Sequence, residues 1–240
     1  MPTENAKIAV VTGGSGSIGL ACGAELVRRG FDVVLTARRE DKLAAAAAEI
    51  GARHVAADSA DEESFADVVA AVDHVDLLVL SAGILDGTFV RKEEPATFDE
   101  VQRANLRSAF VATWATLPKM PAGGRIIFVS STAAADPMKG FTAYSASKAG
   151  VDAFAKSLAR EVARDGIQVH IVSPGPVLTP MLRTPRFPMH VIRSEDVAQL
   201  VGFLTTLRPE VVMPEIRFWG AEEGPFEAET VSPENRPPGR

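Results

Sequence analysis

Tyr144 and Lys148 are the residues of this 240-residue chain whose types and spacing most directly suggest chemistry. They stand four positions apart, so on a helix both side chains lie on one face and can bring a phenol and an ammonium toward one point. A neighbouring cation favours the phenolate and lowers the pKa of a tyrosine from about 10 toward neutral pH. The pair is therefore a candidate proton donor and acceptor.

Ser131 adds a hydroxyl upstream of this pair, shortly after the apolar run at residues 126–129. The order of strand, hydroxyl, loop and helix is the one expected for a site at the carboxyl edge of a parallel sheet. We therefore expect Ser131 and Tyr144 to belong to one site.

Short apolar segments alternate with helical ones along most of the chain. We predict strands at residues 7–12, 32–37, 54–57, 76–80, 125–129, 168–172 and 211–218. The first predicted helix ends near residue 29, and the others cover residues 41–50, 62–72, 97–117, 143–164 and 194–207. Such repeated units predict an α/β fold, a doubly wound parallel sheet (Rossmann fold) of about seven strands with helices on both faces. Pro214 cannot donate to a neighbouring strand, which indicates an edge position for the last strand.

The composition limits the classes of protein to which the chain can belong. A length of 240 residues with 46% hydrophobic residues suits one α/β domain, which we place at residues 1–219. The net charge of −6 supplies no basic surface for nucleic acid or an anionic membrane, and no segment resembles a secretory signal or a membrane span. Cys22 is the only cysteine and the four histidines lack paired ligand spacing, so we predict neither disulfides nor a metal site. We expect a cytoplasmic location and a mobile, acidic, Pro-rich tail at residues 220–240.

A glycine-rich turn follows the first predicted strand and opens the first helix. Its pattern is Gly14-x-Gly16-x-x-Gly19. Small residues let the backbone approach a pyrophosphate, and a helix N-terminus offers N–H groups and positive potential. The turn therefore predicts a bound dinucleotide; the alternative is a tight strand-helix turn without a ligand.

The end of the second predicted strand indicates which dinucleotide is bound. NAD-binding versions of this fold place an acidic residue there, whereas this chain has Thr36-Ala37-Arg38-Arg39. Two guanidiniums can make charge-assisted hydrogen bonds to an adenosine 2'-phosphate. We therefore predict NADP(H) in preference to NAD(H); the alternative is a solvated pair of arginines.

These motifs occur together and in order. With Thr12-Gly13, the glycine turn, Ser131, Tyr144-x-x-x-Lys148 and Ser173-Pro174-Gly175, the chain resembles the short-chain dehydrogenase/reductase family over residues 7–218. The resemblance is to the single-domain branch and implies an oxidoreductase with a catalytic tetrad of Asn105, Ser131, Tyr144 and Lys148. In it, Asn105 would hold a water that relays protons to Lys148. The family also implies that the two long helices pack against a second subunit, giving a homodimer or homotetramer.

The resemblance also implies which residues contact the cofactor. Asp58 would meet the adenine amino group, and Thr179 the nicotinamide amide or a phosphate. The complete set is Gly13, Ser15, Gly16, Ser17, Ile18, Gly19, Arg38, Arg39, Asp58, Ala82, Gly83, Tyr144, Lys148, Pro174, Gly175, Val177 and Thr179.

The chain departs from the family pattern at three places. The second glycine of the motif usually falls where Ser17 stands, and the spacing with Gly16 resembles the extended branch. The usual Asn-Asn-Ala-Gly is Leu80-Ser81-Ala82-Gly83, and the usual Asn before Pro-Gly is Ser173. The segment between Thr179 and Ser194 is also short, which predicts an open site with a small lid.

The leading hypothesis is an NADPH-dependent oxidoreductase that interconverts a ketone or aldehyde and an alcohol, a small molecule. Two alternatives are a redox-sensing protein that binds NADP(H) without turnover and an enzyme similar to sugar-nucleotide epimerases. The pocket is expected from residues 84–91, 133–141 and 181–189, whose side chains do not identify a substrate.

Overall fold

Seven parallel strands form the centre of the computed structural model, which describes residues 6–180 and 190–221. The strands are β1 (Ile8–Thr12), β2 (Asp32–Ala37), β3 (Arg53–Ala56), β4 (Leu77–Leu80), β5 (Arg125–Val129), β6 (Gln168–Pro174) and β7 (Glu215–Phe218). Their order in the sheet is β3-β2-β1-β4-β5-β6-β7, and every neighbouring pair is parallel. The predicted α/β class and the doubly wound sheet are confirmed.

Helices cover both faces of this sheet. They are α1 (Ser17–Arg28), α2 (Glu40–Ile50), α3 (Glu62–Ala70), α4 (Pro95–Gln102), α5 (Ser108–Thr116), α6 (Thr142–Glu161) and α7 (Ser194–Leu204). Buried residues of α1, α2 and α7 form one apolar core with the sheet, and those of α3, α5 and α6 form the other. The strands lack simple alternation of apolar and polar residues because both of their faces are buried. In β1, for example, Val10 packs into one core and Val11 into the other.

The helix predicted at residues 97–117 is not continuous. After α4, residues Arg103–Arg107 form a π-helical turn, and α5 begins at Ser108. The Ser108 hydroxyl donates to the Ala104 carbonyl (2.7 Å), one of the backbone groups in the widened turn. The sequence pattern did not indicate this turn, because a π-helical turn is a rare, single-turn interruption that is too short to show a period of its own.

The last strand is shorter than predicted. β7 begins at Glu215, so Pro214 precedes the strand, and its carbonyl accepts a hydrogen bond from Ile171 (3.0 Å). The predicted edge position is confirmed, since β7 pairs only with β6 among the described strands. Other differences are small: β6 extends to Pro174 and α7 ends at Leu204.

Two predicted regions fall largely outside the described residues. They are residues 181–189 of the expected lid and pocket and residues 222–240 of the expected tail. None of the helices in the described part of the chain has the length and apolar character needed to cross a membrane.

Candidate active site

The predicted site residues lie mainly where strands end at the carboxyl edge of the sheet. The order of the strands reverses between β1 and β4, and a crevice at such a reversal is where ligands bind in open α/β sheets. The glycine turn follows β1, Ala82 and Gly83 follow β4, and Ser131 follows β5. The fold therefore brings segments that are distant in sequence to one edge.

Ser131 and Tyr144 are brought together. The Ser131 hydroxyl hydrogen-bonds the Tyr144 phenol and lowers its pKa, but burial has the larger effect, so the pKa of Tyr144 lies above its ordinary value. The prediction that this pKa lies below its ordinary value is therefore wrong. The Lys148 Nζ lies 5.9 Å from the centroid of the Tyr144 ring. Removal of the phenol from water is the largest influence on its pKa.

Lys148 is buried, and its ammonium donates to the Val129 carbonyl at the end of β5 (2.9 Å). Burial disfavours the charged amine and lowers the pKa of Lys148 to about 8, while the Asp152 carboxylate opposes the change. Since Lys148 and Tyr144 occupy successive turns of α6, the helix holds both side chains in one place, as the spacing predicted. The amine can thus change its charge close to neutral pH.

Asn105 lies in the π-helical turn and is 2% exposed. Its Oδ1 accepts from the Ile84 N–H (2.7 Å), and its Nδ2 donates to the Ile84 carbonyl (3.0 Å) and to the Ser147 hydroxyl (2.9 Å). Ser147 in turn donates to the Tyr144 carbonyl (2.7 Å). The Asn105 side chain therefore links the loop after β4 to the turn of α6 that carries Tyr144. Its role in holding a water stays a prediction.

The glycine turn packs against its neighbours at two of its three motif glycines. A Cβ atom at Gly14 would lie 2.7 Å from the Leu35 Cβ, and one at Gly19 would lie 2.3 Å from the Gly13 carbonyl oxygen. A Cβ atom at Gly16 would meet only the Gly13 oxygen, at 3.3 Å. Gly16 is the N-cap of α1 and supplies no side-chain hydrogen bond to the helix. The backbone N–H groups of the first turn therefore have no side-chain cap and can bind a phosphate.

Ser81 replaces an amide side chain that is usual in the related family and still joins β4 to β1. Its hydroxyl donates to the Thr12 carbonyl, and the N–H groups of Ser81 and Ala82 both lie 3.2 Å from the Thr12 Oγ1. Gly13 follows with φ +69°, and a Cβ atom there would lie 2.9 Å from the Ala82 Cα. Thr12 and Gly13 thus hold the loop after β1 in direct contact with the loop after β4.

Asp58 lies at the expected end of β3, and both of its carboxylate oxygens are occupied. Oδ1 accepts from the Ala60 N–H (2.9 Å) and Oδ2 from Arg103 (2.7 Å). Burial favours the neutral carboxyl, but these hydrogen bonds and the charges of Arg103 and Arg38 outweigh it and hold the pKa of Asp58 below its ordinary value. Asp58 is therefore ionised at neutral pH.

Arg38 and Arg39 are exposed at the end of β2. An Arg38 nitrogen lies 3.7 Å from the Glu100 carboxylate of α4, a long and solvent-exposed ion pair. Such a pair contributes little to stability, so Arg38 can exchange Glu100 for another anion at low cost.

The segment after β6 is fixed by backbone hydrogen bonds. Gly175 donates to the Phe218 carbonyl (2.8 Å), and Val177 forms a bridge with Ile192. Leu178 donates to the Ile192 carbonyl (2.8 Å), and Thr179 follows directly. Ser173, at the end of β6, has a buried hydroxyl oxygen without a hydrogen-bond partner among the described residues. Ser173 therefore does not replace the amide hydrogen bonds usual in the related family.

Comparison with known proteins gives a family that has this fold. The family model for the short chain dehydrogenase matches residues 7–187. This chain belongs to the short-chain dehydrogenase family. The acetoacetyl-CoA reductase of Cupriavidus necator is 33% identical to it, over 92% of this chain and 93% of that protein. The 2-dehydro-3-deoxy-L-rhamnonate dehydrogenase (NAD(+)) of a Sphingomonas species is 36% identical, over 79% of this chain and 80% of that one.

A solved structure gives the same result for the fold. A short chain dehydrogenase from Burkholderia cenocepacia in complex with NADP superposes with a TM-score of 0.81 and 31% identity. The superposition covers 89% of this chain and 96% of that one. The single-sheet architecture of the short-chain dehydrogenases thus extends over most of the described residues.

Three residues of this short-chain dehydrogenase lie at the site but were not found from its sequence. Arg103 binds Asp58, Ser147 binds Asn105, and Asp152 lies one helical turn beyond Lys148. The spacing of Lys148 and Asp152 was visible in the sequence, but the other two contacts join distant segments. Among residues 6–180 and 190–221, no three His, Cys, Asp or Glu side chains are arranged to hold a metal ion.

Proposed function

We propose that this chain is an NADP(H)-dependent oxidoreductase that interconverts a ketone or aldehyde and an alcohol, with Tyr144 as general acid and base. The observation that supports this most is the arrangement of Ser131 and Lys148 around the Tyr144 phenol. A protein that only binds a dinucleotide has no use for a phenol placed beside a buried amine. A proton transfer that accompanies hydride transfer needs both groups.

The proposed proton transfer follows from the positions of the three side chains. In the direction of reduction, Tyr144 donates its proton to the substrate carbonyl oxygen, and Ser131 donates a hydrogen bond to the same oxygen as negative charge develops. The raised pKa of Tyr144 keeps the phenol protonated and ready to act as an acid before substrate binds. The Lys148 ammonium stabilises the tyrosinate that remains. A bound nicotinamide cofactor supplies the hydride.

The cofactor fits the observed cradle. The N–H groups at the uncapped start of α1 are available to a pyrophosphate, and the close contacts of Gly14 and Gly19 keep the turn tight against its neighbours. We propose that Asp58 binds the adenine amino group and that the backbone of Ala82 and Gly83 runs alongside the adenosine. Lys148 and the segment that contains Pro174, Gly175, Val177 and Thr179 would hold the nicotinamide end. Asn105 completes the proposed catalytic tetrad through its links to Ile84 and Tyr144.

The preference for NADP(H) rests on Arg38 and Arg39. Neither arginine is buried, and the ion pair of Arg38 with Glu100 is long. No acidic side chain follows Ala37 directly, so a 2'-phosphate meets two cations there. The relatives include both a protein named for NAD(+) and a structure with NADP, so this choice depends on the chain's own residues.

Replacement of both arginines by glutamine is expected to weaken NADPH binding by on the order of a hundredfold, because two charge-assisted hydrogen bonds to the phosphate are lost. Binding of NADH should change less than threefold. Fluorescence titration with each nucleotide at two salt concentrations measures the affinities for NADPH and NADH. Lys7→Gln is the matched control, since Lys7 is exposed at the opposite end of β1. Equal losses for NADPH and NADH would contradict the proposed preference.

The function is tested by NADPH consumption against a panel of ketones and aldehydes, with NADPH binding measured on the same preparation. The panel should include β-keto thioesters, because a relative is named an acetoacetyl-CoA reductase. Reduction of any of these compounds with stoichiometric oxidation of NADPH supports the proposal. Tight binding of NADPH without any reduction would favour the alternative of a redox-sensing binding protein.

We further propose that the enzyme is a cytoplasmic homodimer or homotetramer in which the α5 and α6 surfaces meet a second copy. Phe110 and Trp114 of α5 are exposed, and Phe110 packs against Phe154 of α6 with ring centroids 5.8 Å apart. An exposed aromatic surface of this kind is typical of a protein interface.

A further inference from the structure

A second ionisable side chain is buried beside Lys148. Asp152 follows Lys148 by one turn of α6, and the two residues are only 7% and 8% exposed. Residues four apart on a helix lie on the same face, about 6 Å apart at their Cβ atoms. Buried carboxylates are rare unless a partner or a hydrogen bond stabilises them, so Asp152 requires an explanation.

Asp152 also contacts the end of β5. Its Oδ1 accepts a hydrogen bond from the Ser130 hydroxyl, and this contact is buried. Ser130 directly precedes Ser131, and its backbone N–H donates to the Val172 carbonyl of β6 (2.8 Å). The carboxylate is therefore held between the helix that carries Lys148 and the strand end that carries Ser131.

The charged groups around Asp152 are Lys148 and Lys156 on α6 and Glu215 and Arg217 on β7. Lys156 and Arg217 both pair with Glu215, and the Lys156 contact is 2.9 Å. Around Lys148, α6 supplies the Tyr144 phenol and Asp152, β5 supplies the Val129 carbonyl, and the π-helical turn supplies the neutral Asn105 near Gly83. Asp152 is thus the anion on the same face of α6 whose charge acts on the buried amine.

We propose that Asp152 is a positioning residue that keeps Lys148 protonated and at the same time fixes the strand end that carries Ser131. This inference rests on the proposed function for its consequence but not for its geometry. Burial draws the pKa of Lys148 down to about 8, and the Asp152 carboxylate works against that fall. Burial raises the pKa of Asp152 above its ordinary value, and the Ser130 hydroxyl, which donates to the carboxylate, limits that rise.

The direct test is an NMR titration of lysine side-chain nitrogens in the full-length protein, with the Lys148 signal assigned by its loss in Lys148→Arg. Wild-type Lys148 is expected to titrate near pH 8. In Asp152→Asn its midpoint should fall by on the order of one pH unit, since a buried counter-charge is removed but the side-chain shape is kept. Glu161→Gln removes the same charge from the exposed end of α6, about 20 Å away, and should leave the midpoint unchanged. An unchanged midpoint in Asp152→Asn, or an equal shift in Glu161→Gln, overturns the proposal.

Ser130→Ala separates charge from packing. It removes the hydrogen bond but keeps the carboxyl group, so the Lys148 midpoint should fall by less than it does in Asp152→Asn. A full shift in this variant would overturn the assignment to charge.

A measurement on the wild type covers the case in which Asp152→Asn does not fold. The NMR chemical shift of the Asp152 carboxyl carbon is expected to change in two steps as the pH rises. The large step is the titration of Asp152 itself, and a second, small step should have the midpoint of Lys148, because interacting groups sense each other's titration. A single step would overturn the proposal. Neither NMR readout needs turnover, so these shifts can hold even if no carbonyl compound is reduced. Where activity is found, the alkaline limb of kcat should move to lower pH in Asp152→Asn by the same amount as the Lys148 midpoint.

Discussion

Tyr144→Phe is expected to lower the rate of carbonyl reduction by on the order of a hundredfold or more while NADPH binding stays within a few fold of the wild type. The reason is that the variant keeps the ring and its packing but cannot give a proton to the carbonyl oxygen. Steady-state kinetics with a substrate that the wild type reduces, together with an NADPH titration, measure both effects. Full retention of kcat in the variant would exclude Tyr144 as the proton donor.

The chain offers an unusually clean control for this prediction, because Tyr144 is its only tyrosine. The rise in tyrosinate absorbance with pH therefore reports this one phenol, and it should disappear in Tyr144→Phe. The wild-type midpoint is expected above the ordinary value for tyrosine, since burial raises the pKa of Tyr144. Ser131→Ala should move the midpoint higher still, because a donor to the phenolate is lost. A midpoint that falls in Ser131→Ala would contradict the hydrogen bond between the two residues.

Gly19→Ala is expected to lower the free energy of unfolding by about 2 to 3 kcal/mol and to abolish measurable NADPH binding. An added Cβ atom would lie 2.3 Å from the Gly13 carbonyl oxygen and 2.9 Å from the Ser81 hydroxyl. Because the first of these is a backbone atom, relief requires the glycine turn and α1 to separate. Urea unfolding and nucleotide titration measure the two losses.

Gly16→Ala is the matched control within the same motif. The added carbon would meet only the Gly13 oxygen at 3.3 Å, and the backbone of Gly16 is extended (φ −92°, ψ 160°), a conformation open to alanine. We expect a loss of stability below about 1 kcal/mol, from the weaker N-cap alone. Equal losses in the two variants would contradict the assignment of steric restraint to Gly19.

The regular parts of the fold were predictable because they depend on local patterns. Strands β2 and β5 have the predicted boundaries, since each is an apolar run buried on both faces. The π-helical turn was not predictable in this way. It is accompanied by hydrogen bonds of Asn105 to Ile84 and Ser147, which lie 21 and 42 residues away, and such contacts leave no periodic pattern.

The proximity of three predicted site residues followed from the sequence, but the electrostatics around them did not. Ser131, Tyr144 and Lys148 lie together as their order and spacing indicated. The pKa of Tyr144, in contrast, moves opposite to the prediction, because a sequence identifies a neighbouring charge but not the water that folding removes. Arg103 was missed for a related reason: its contact with Asp58 spans 45 residues.

The hydrogen bond between Ser81 and the Thr12 carbonyl joins positions 69 residues apart, which affects the order of folding. The glycine turn cannot take its final form until β4 has paired with β1, because Gly13 is packed against Ala82. Closing so long a loop is entropically costly and therefore occurs late relative to local helix formation. A nucleotide that contacts the loops after β1 and β4 therefore has no complete binding site until these two strands have paired. Such a nucleotide binds only the assembled sheet and therefore adds to its stability by mass action, by an amount that rises with the concentration of the nucleotide.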